Sequence, residues 1–346
     1  MTTMQNLTVL HDVHAGAQRS AGATPLTAWQ LRQYINQEFT ALVEACDGSL
    51  LILGDLFDTG HVPMADLLAV WETLAKYCHG GGQLYLVCGN HDLEKTLTTL
   101  SSFQFLCKLL QAQNFPRQVA VIDQPTALPE WDAYVVPHLA NSDLFEMALA
   151  EVPKCTYLLT HANYDNKFAV ESDHSLNLSL EQAMKLPVKH IIFAHEHQQK
   201  TALGGKVQIV GNQIPSSISD CLGNDSKRFA VITATGLEYQ TCWQAQGNYA
   251  EQDWRSLSDD GCKFIRVVGE ASAEEAADVV TAISKFRNKS KALVITNAVK
   301  VEGAADGEQI QLTMEEVKSF NVLEALLECL DEREQGVVKN LLKAEA

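Results

Sequence analysis

Five short polar clusters carry the side chains best suited to chemistry: Asp12-x-His14, Gly54-Asp55-x-x-Asp58, Gly89-Asn90-His91-Asp92, His161 and His195-x-His197. Carboxylates, imidazoles and an amide oxygen can ligate a metal ion, and an imidazole can hand a proton to a leaving group. Singly, each cluster is commonplace, and a lone histidine such as His138 is ordinarily a hydrogen-bonded structural residue. Taken together, Asp12, His14, Asp55, Asn90, His161, His195 and His197 offer two Asp, one Asn and four His. That mixed nitrogen and oxygen set suits Mn, Fe or Zn rather than Ca, which prefers oxygen alone. With one carboxylate bridging, two ions would sit roughly 3.5–4 Å apart, the spacing of two-metal phosphoryl-transfer sites.

Each cluster follows an apolar, β-prone run: Leu7–Leu10, Ser49–Leu53, Gln83–Cys88, Thr156–Leu159 and His190–Phe193. Between them the apolar spacing predicts helices over 27–45, with Thr27 as N-cap, over 64–78 and over 96–111. Shorter helices are expected at 142–150 and 178–185, and further strands at 119–122, 133–136, 207–210, 228–233 and 236–243. The apolar residues of 96–111 cover a wider arc than one surface stripe, which calls for deep burial or a subunit contact. Apolar strand, polar motif and helix in repetition define a layered α/β fold with its chemistry at the strand ends.

Composition narrows the class. Apolar content is 46% and charged content 20%, and no run reaches the ~18 apolar residues of a membrane span. Met1–Asn6 is polar, unlike a secretory leader. Nine scattered cysteines without a CxxC pair suit a reducing, cytoplasmic compartment. A net charge of −17 speaks by itself against a nucleic-acid partner, although metal ions in a carboxylate-rich pocket can invert the local field. Residues 244–261 are polar and acidic, as in a linker. Strand, helix and strand are expected at 263–268, 271–287 and 292–297, a small separate unit. After Met314, stripes at Leu323, Leu326, Leu327 and Leu330, then Val337, Val338, Leu341 and Leu342, make a tail that packs on its own protein or awaits a partner's groove.

The order D-x-H, GD-x-x-D, GNHD, lone His, H-x-H resembles that of the calcineurin-like metallophosphoesterases, over residues 7–215. The resemblance implies a four-layer sandwich of two mixed β-sheets flanked by helices. It implies that Asp12, His14, Asp55 and His197 hold one divalent ion, and that Asp55 bridges to a second held by Asn90, His161 and His195. His91 would be the acid beside the metals, oriented by Asp92 or Asp58. Two cations lower the pKa of a shared water towards neutrality, hydroxide attacks phosphorus in line and His91 protonates the departing oxygen. Ala194 stands where many relatives have Gly.

Thr59 occupies the position where protein Ser/Thr phosphatases carry a phosphate-clamping Arg. Instead, Gly54-Asp-Leu-Phe-Asp-Thr-Gly-His-Val-Pro63, Gly16 after D-x-H, and Gly211-Asn-Gln-Ile-Pro-Ser-Ser217 resemble the SbcD-type nucleases, relatives of the eukaryotic break-repair nuclease. That resemblance implies a nuclease domain over 1–245, a small DNA-contacting cap over 262–303 and a helical segment over 314–346 that grips an SbcC-like ATPase. It further implies DNA as substrate, Mn2+ ahead of Fe or Zn, and a homodimer through helices of the nuclease domain. The compact length and Cys-rich core are similar to those of phage-encoded members, whose compartment is the host cytoplasm. Arg19, Lys95, Lys167 and Lys200 lie near the motif loops and could form a basic rim for DNA. Two other classes compete: a phosphodiesterase of the same fold acting on cyclic-nucleotide-like small molecules, and a non-catalytic scaffold with a relic site. The long C-terminal extension disfavours the first; retention of all seven ligand types and His91 disfavours the second.

Overall fold

The computed structural model describes residues 5–17, 25–93, 99–166, 175–223 and 225–302. The chain runs through β1 (Leu7–Leu10), α1 (Pro25–Glu44), β2 (Ser49–Leu53), α2 (Met64–His79), β3 (Gln83–Val87), α3 (Ser102–Gln111) and β4 (Ala120–Ile122). Next come β5 (Thr126–Leu128), β6 (Ala133–Val136), α4 (Ser142–Ala150), β7 (Cys155–His161), β8 (Asn163–Tyr164), β9 (Asn177–Leu178) and α5 (Leu180–Lys185). The strands β10 (Val188–Ala194), β11 (Lys200–Ala202) and β12 (Val207–Ile209) precede α6 (Ile218–Cys221), β13 (Ser226–Thr233), β14 (Gly236–Gln244) and β15 (Tyr249–Asp253). Last are β16 (Phe264–Val268), β17 (Glu270–Ala271), α7 (Ala276–Arg287), β18 (Val294–Asn297) and β19 (Lys300–Val301).

Two six-stranded sheets are built on the same plan. The first has the order β14-β13-β1-β2-β3-β4, with β1 to β4 parallel and β13 and β14 antiparallel. The second has the order β11-β12-β10-β7-β6-β5, with a parallel middle and short antiparallel strands at both edges. Parallel strands are covered on both faces and so read as unbroken apolar runs; β2, Ser-Leu-Leu-Ile-Leu, is buried along its whole length. One face of each sheet meets the other through Leu7, Val9, Leu51, Leu53, Val135, Leu159 and Ile192. The outer faces carry α1 to α3 on the first sheet and α4 and α5 on the second. This is the four-layer α/β sandwich. Truncating one of those inter-sheet leucines to alanine would cost about 2–5 kcal/mol. Because the parallel strands share a direction, the clusters after β1, β2, β3, β7 and β10 emerge at one end of the sandwich.

Several elements depart from the sequence reading. Helix α1 starts at Pro25, whose fixed φ suits a first helical position, so Thr27 lies inside the helix rather than capping it. Helix α3 starts instead at the capping box of Ser101 and Gln104. Its wide apolar arc divides: Phe103, Leu106, Cys107 and Leu110 are buried, whereas Phe105 stays exposed. The stretch expected as linker contains β15, which pairs in parallel with β16. Its polar sequence, Tyr-Ala-Glu-Gln-Asp, suits an edge strand that one neighbour alone recruits.

Strand, helix and strand form where the small unit was expected, as β16, α7 and β18. Residues Met1–Gly269 and Ala277–Val299 constitute one compact unit, and Phe264 and Val294 join the core under α1 and α2. The Phe264 ring meets Tyr34 edge-on, with centroids 5.9 Å apart. A second unit comprises Glu270–Ala276 and the chain from Lys300, and within it β17 pairs in parallel with β19. The helical segment expected at 314–346 lies outside the described residues, as do Arg19, Lys95 and Lys167. Among the described residues no helix is long and apolar enough to cross a membrane.

Candidate metal centre

The loops that follow β1, β2 and β3 continue the strand pairing past the sheet. The Asp12 N–H donates to the Gly54 carbonyl (3.2 Å), that of His14 to Asp55 (3.1 Å), and that of Gly54 to Val87 (3.1 Å). Asp12, His14 and Asp55 adopt left-handed backbone, with φ of 49°, 50° and 49°, and His195 has φ of 84°. Non-glycine residues avoid this region, and strain of this kind concentrates at functional sites. Two motif glycines are required by space. A Cβ on Gly54, at φ 83°, would enter the His161 ring, and one on Gly89 would collide with the Asp55 carboxylate and amide.

These loops bring together all seven expected ligands, with His91 and Asp58, beside a cavity of about 240 Å3. Asp12, His14 and His197 form one group, in which the Nε2 atoms of His14 and His197 face each other at 3.1 Å. Asp55, His161 and His195 form another. Asn90 Oδ1 stands 2.9 Å from His161 Nε2 and 3.0 Å from His195 Nδ1, and Asp55 Oδ2 is 3.2 Å from His161 Nε2.

Two of the remaining ring nitrogens are tied back. His161 Nδ1 lies 3.0 Å from the Leu53 carbonyl and His197 Nδ1 lies 2.8 Å from Asp220 Oδ1, so each ring gives its proton away from the centre and turns a lone pair into it. At His161 this leaves a ring lone pair, an amide oxygen and a carboxylate oxygen converging on one point. Acceptors that meet in that way call for positive charge between them, a proton on Nε2 in the metal-free protein or a metal ion in its place. The donor set therefore fits divalent metal ions, with Asp12, His14 and His197 on one side and Asp55, Asn90, His161 and His195 on the other.

His91 and its neighbours are arranged otherwise than the sequence reading expected. The partner of His91 Nδ1 is the main-chain carbonyl of Asp58, at 2.6 Å, and neither expected carboxylate. Asp92 is fully buried and serves the backbone: Oδ1 accepts from the Phe57 N–H (3.0 Å), and Oδ2 from those of Gly89 (3.0 Å) and Leu56 (3.4 Å). It staples the second motif to the third, because three buried amides there need an acceptor. The carboxylate of Asp58 lies instead 3.4 Å from His14 Nδ1. Asp55 is fixed by the His91 N–H, which donates to its Oδ1 (2.9 Å) and leaves Oδ2 for the centre.

Charge is dense here. Burial works against ionised Asp12, but the hydrogen bond and charge of His11, with the charges of His161 and His197, hold it well below the usual carboxylate range. Burial likewise works against Asp55, and His161, His14 and His91 hold it well below that range. Burial disfavours the charged rings of His14 and His161, yet Asp58, Asp55 and Asp12 raise His14 to about 9, and Asp55 and Asp12 raise His161 to about 9. Burial, then repulsion from Asp55, pushes Asp92 up to about 7 against the pull of the Phe57 and Gly89 amides. The carboxylates thus draw positive charge inwards, and a divalent ion binding there displaces the protons.

Residues to which the sequence reading gave no role at the centre complete the surroundings. His11, Gln213, Asp220 and the fully buried Lys227 each bind a ligand or its neighbour. His11 adjoins Asp12 and so carried a local signal; Asp220, 23 residues from His197, carried none. Lys200 lies on the edge strand β11, exposed, with its ammonium 5.6 Å from the Tyr164 ring centroid.

Strand-end carboxylates and imidazoles converging on a shared cavity, with a histidine held beside them, define a metal-dependent hydrolase of phosphoesters. The calcineurin-like phosphoesterase model matches residues 8–199, more than half of the chain, and the chain belongs to that family. No curated protein matches. Among solved structures, the cold-active protein-tyrosine phosphatase of a psychrophilic Shewanella sp. aligns at 14% identity and a TM-score of 0.34, over 69% of this chain and 80% of that one. A second structure titled as a cold-active protein tyrosine phosphatase aligns at 15% identity and a TM-score of 0.34, over 69% and 78%.

Proposed function

We propose that this phosphoesterase is a DNA nuclease, the catalytic subunit of an SbcCD-like repair and recombination complex that hydrolyses phosphodiesters with two Mn2+ ions. The observation that carries the reading is the second motif. Thr59 stands where a phosphomonoesterase of this family would place a cation, and its hydroxyl donates to the His61 carbonyl of its own loop (2.7 Å). A phosphodiester bears a single charge, which the metals themselves can balance; the dianion of a monoester calls for an added clamp.

In this reading Asp12, His14 and His197 would hold one ion and Asn90, His161 and His195 the other, with Asp55 shared between them as the resemblance implies. The ions when bound polarise the phosphoryl oxygens and make water a nucleophile near neutral pH. His91, with Nδ1 on the Asp58 carbonyl, presents Nε2 to the cavity and donates the proton that the departing 3′ or 5′ oxygen needs. Ser217 and Ser219, whose hydroxyls pair with each other (2.7 Å) and so keep one hydrogen between them to give, also line the cavity on the path of the sugar-phosphate chain. Residues 262–303 serve as a cap towards DNA, and 314–346 grip the partner ATPase, which supplies much of the DNA affinity that a chain of net charge −17 lacks. Lys200, with Arg19, Lys95 and Lys167, makes the basic rim. Met64 and Leu68 on α2 and Phe105 on α3, all exposed, support a homodimer contact through these helices.

The test is digestion of end-labelled duplex and single-stranded DNA with Mn2+, beside a panel of cyclic nucleotides. DNA cleavage by the wild type, lost in His91→Ala with metals still bound, is the expected result. Turnover of cyclic nucleotides alone would make the protein a small-molecule phosphodiesterase, and metal binding without hydrolysis would make it a scaffold. Deletion after Gly307 is expected to spare cleavage of short DNA and abolish capture of the ATPase; co-purification of the truncated chain with the ATPase would sink the assignment of the tail.

A further inference from the structure

The segment from Gly211 to Asp220 crosses from β12, in the second sheet, to the start of β13, in the first, over the end of the sandwich that carries the centre. Its hydrogen bonds to the ligands leave little freedom of assignment. The His11 main-chain N–H can only donate, so the Gln213 atom 2.8 Å from it is the carbonyl oxygen and the other atom is the amide nitrogen. That nitrogen, 3.0 Å from His11 Nε2, must donate, which places the His11 ring proton on Nδ1. Nδ1–H then donates to Asp12 Oδ2 at 2.7 Å. Gln213 is itself anchored by donation to the Gly211 carbonyl at 3.0 Å.

A second arm leaves the same segment. Asp220 is 2% exposed; its Oδ2 accepts from the Ser216 N–H (2.8 Å), the Ser216 hydroxyl (3.1 Å) and the Ser217 N–H (2.9 Å). Its Oδ1 takes the Nδ1 proton of His197. Between the arms, the Lys227 ammonium has no exposure and donates to Asn212 Oδ1 (2.7 Å) and to the His197 carbonyl (3.2 Å). An ammonium in so dry a place is costly unless it fastens acceptors that would otherwise be orphaned.

From these contacts we infer that Gln213, acting through His11, and Asp220 are positioning residues chiefly for one of two ions, the one held by Asp12, His14 and His197, with Lys227 clamping the strap to the His197 main chain. Neither arm bonds to Asn90 or His161, which meet each other, His195, Asp55 and the Leu53 carbonyl; the one link across is the His195 main-chain N–H, which donates to Asp12 (2.9 and 3.1 Å). The strap therefore bears on one ion far more than on the other, since its only link to the second is the main chain of His195. This rests on the reading of the centre as a two-ion site.

The experiment counts Mn2+ per chain on the full-length protein, by titration calorimetry and by metal analysis after gel filtration, with thermal unfolding as the check on folding. Wild type is expected to bind two ions. Gln213→Met and Asp220→Asn are each expected to weaken one ion by about 10–100-fold, leaving about one per chain at limiting Mn2+, with the affinity of the other changed far less. Asn90→Ala is expected to lose the other ion, so that the double variant Asn90→Ala/Asp220→Asn retains neither. The two strap variants are independent, and either one that folds decides the matter. Folded variants that bind both ions as wild type does, or that weaken both equally, overturn the inference; a wild type that binds no metal overturns the two-ion reading instead.

Discussion

The two sides of the metal centre hold similar ligands by different means. On the side of Asp55, Asn90, His161 and His195, the main chain does the holding: the Leu53 carbonyl fixes His161, the His91 amide fixes Asp55, and Gly54 and Gly89 admit those groups where no Cβ would fit. On the side of Asp12, His14 and His197, side chains do most of it: His11 and Gln213 behind Asp12, which also accepts the His195 N–H, Asp58 beside His14, Asp220 behind His197. Main-chain support leaves glycines in the motif and is visible locally. Side-chain support comes from anywhere in the chain, and is adjustable one residue at a time.

The sharpest break should come from a side chain that supports neither side. His91→Ala is expected to lower hydrolysis by roughly 100- to 10,000-fold, the usual worth of a positioned acid, with metal content unchanged. Loss of metal alongside activity would show that His91 is a ligand. Gly54→Ala attacks the main-chain side. It forces a Cβ onto φ 83° and into the His161 ring, so it should cost about 1–3 kcal/mol of stability in urea unfolding and release the ion bound by His161. An unchanged second affinity in that variant would contradict the division drawn above.

Protons compete with metal on both sides at once, because His14 and His161 each titrate near 9 instead of 6.5 in the metal-free protein. A raised pKa means that the stability these protonated rings contribute is complete below pH 6.5 and fades as pH rises through about 9. In chelator the melting temperature should therefore decline across that window. Metal needs the rings deprotonated, so its stabilising effect should grow across the same window, by up to about tenfold in affinity per pH unit for each proton released. Parallel pH trends with and without metal would remove these two histidines from the ligand set. The smallest effect is expected of Asp58→Asn. Its main-chain carbonyl, which the substitution leaves in place, is what orients His91, and its carboxylate stands at 3.4 Å from His14. Metal binding should weaken less than in Asp220→Asn, with His91-dependent cleavage retained.

Much of this molecule was legible before folding. The apolar runs Leu7–Leu10, Ser49–Leu53 and His190–Phe193 became central parallel strands because nothing but a doubly covered sheet accommodates them. The short edge strands β5, β11 and β15 were not legible, since three to five polar-leaning residues acquire strand geometry only when a neighbour offers a ladder. The same limit applied to Asp92. Adjacency to His91 suggested that it served that ring, but three unpaired amides of the two neighbouring loops claimed it first.

What the sequence determined by itself is the inventory: which side chains are able to ligate a metal, which one is able to donate a proton, and that all of them stand at the ends of strands. Those properties belong to residue type and to the period of the apolar pattern, both local. Tertiary structure alone decided how each ring and carboxylate is aimed. Gln213 reaches His11 across 202 residues, Asp220 reaches His197 across 23, and the carbonyl that orients His91 belongs to Asp58 in another loop. A hydrogen bond depends on distance and direction in space, and the chain brings those partners within reach only once both sheets have closed on their shared core.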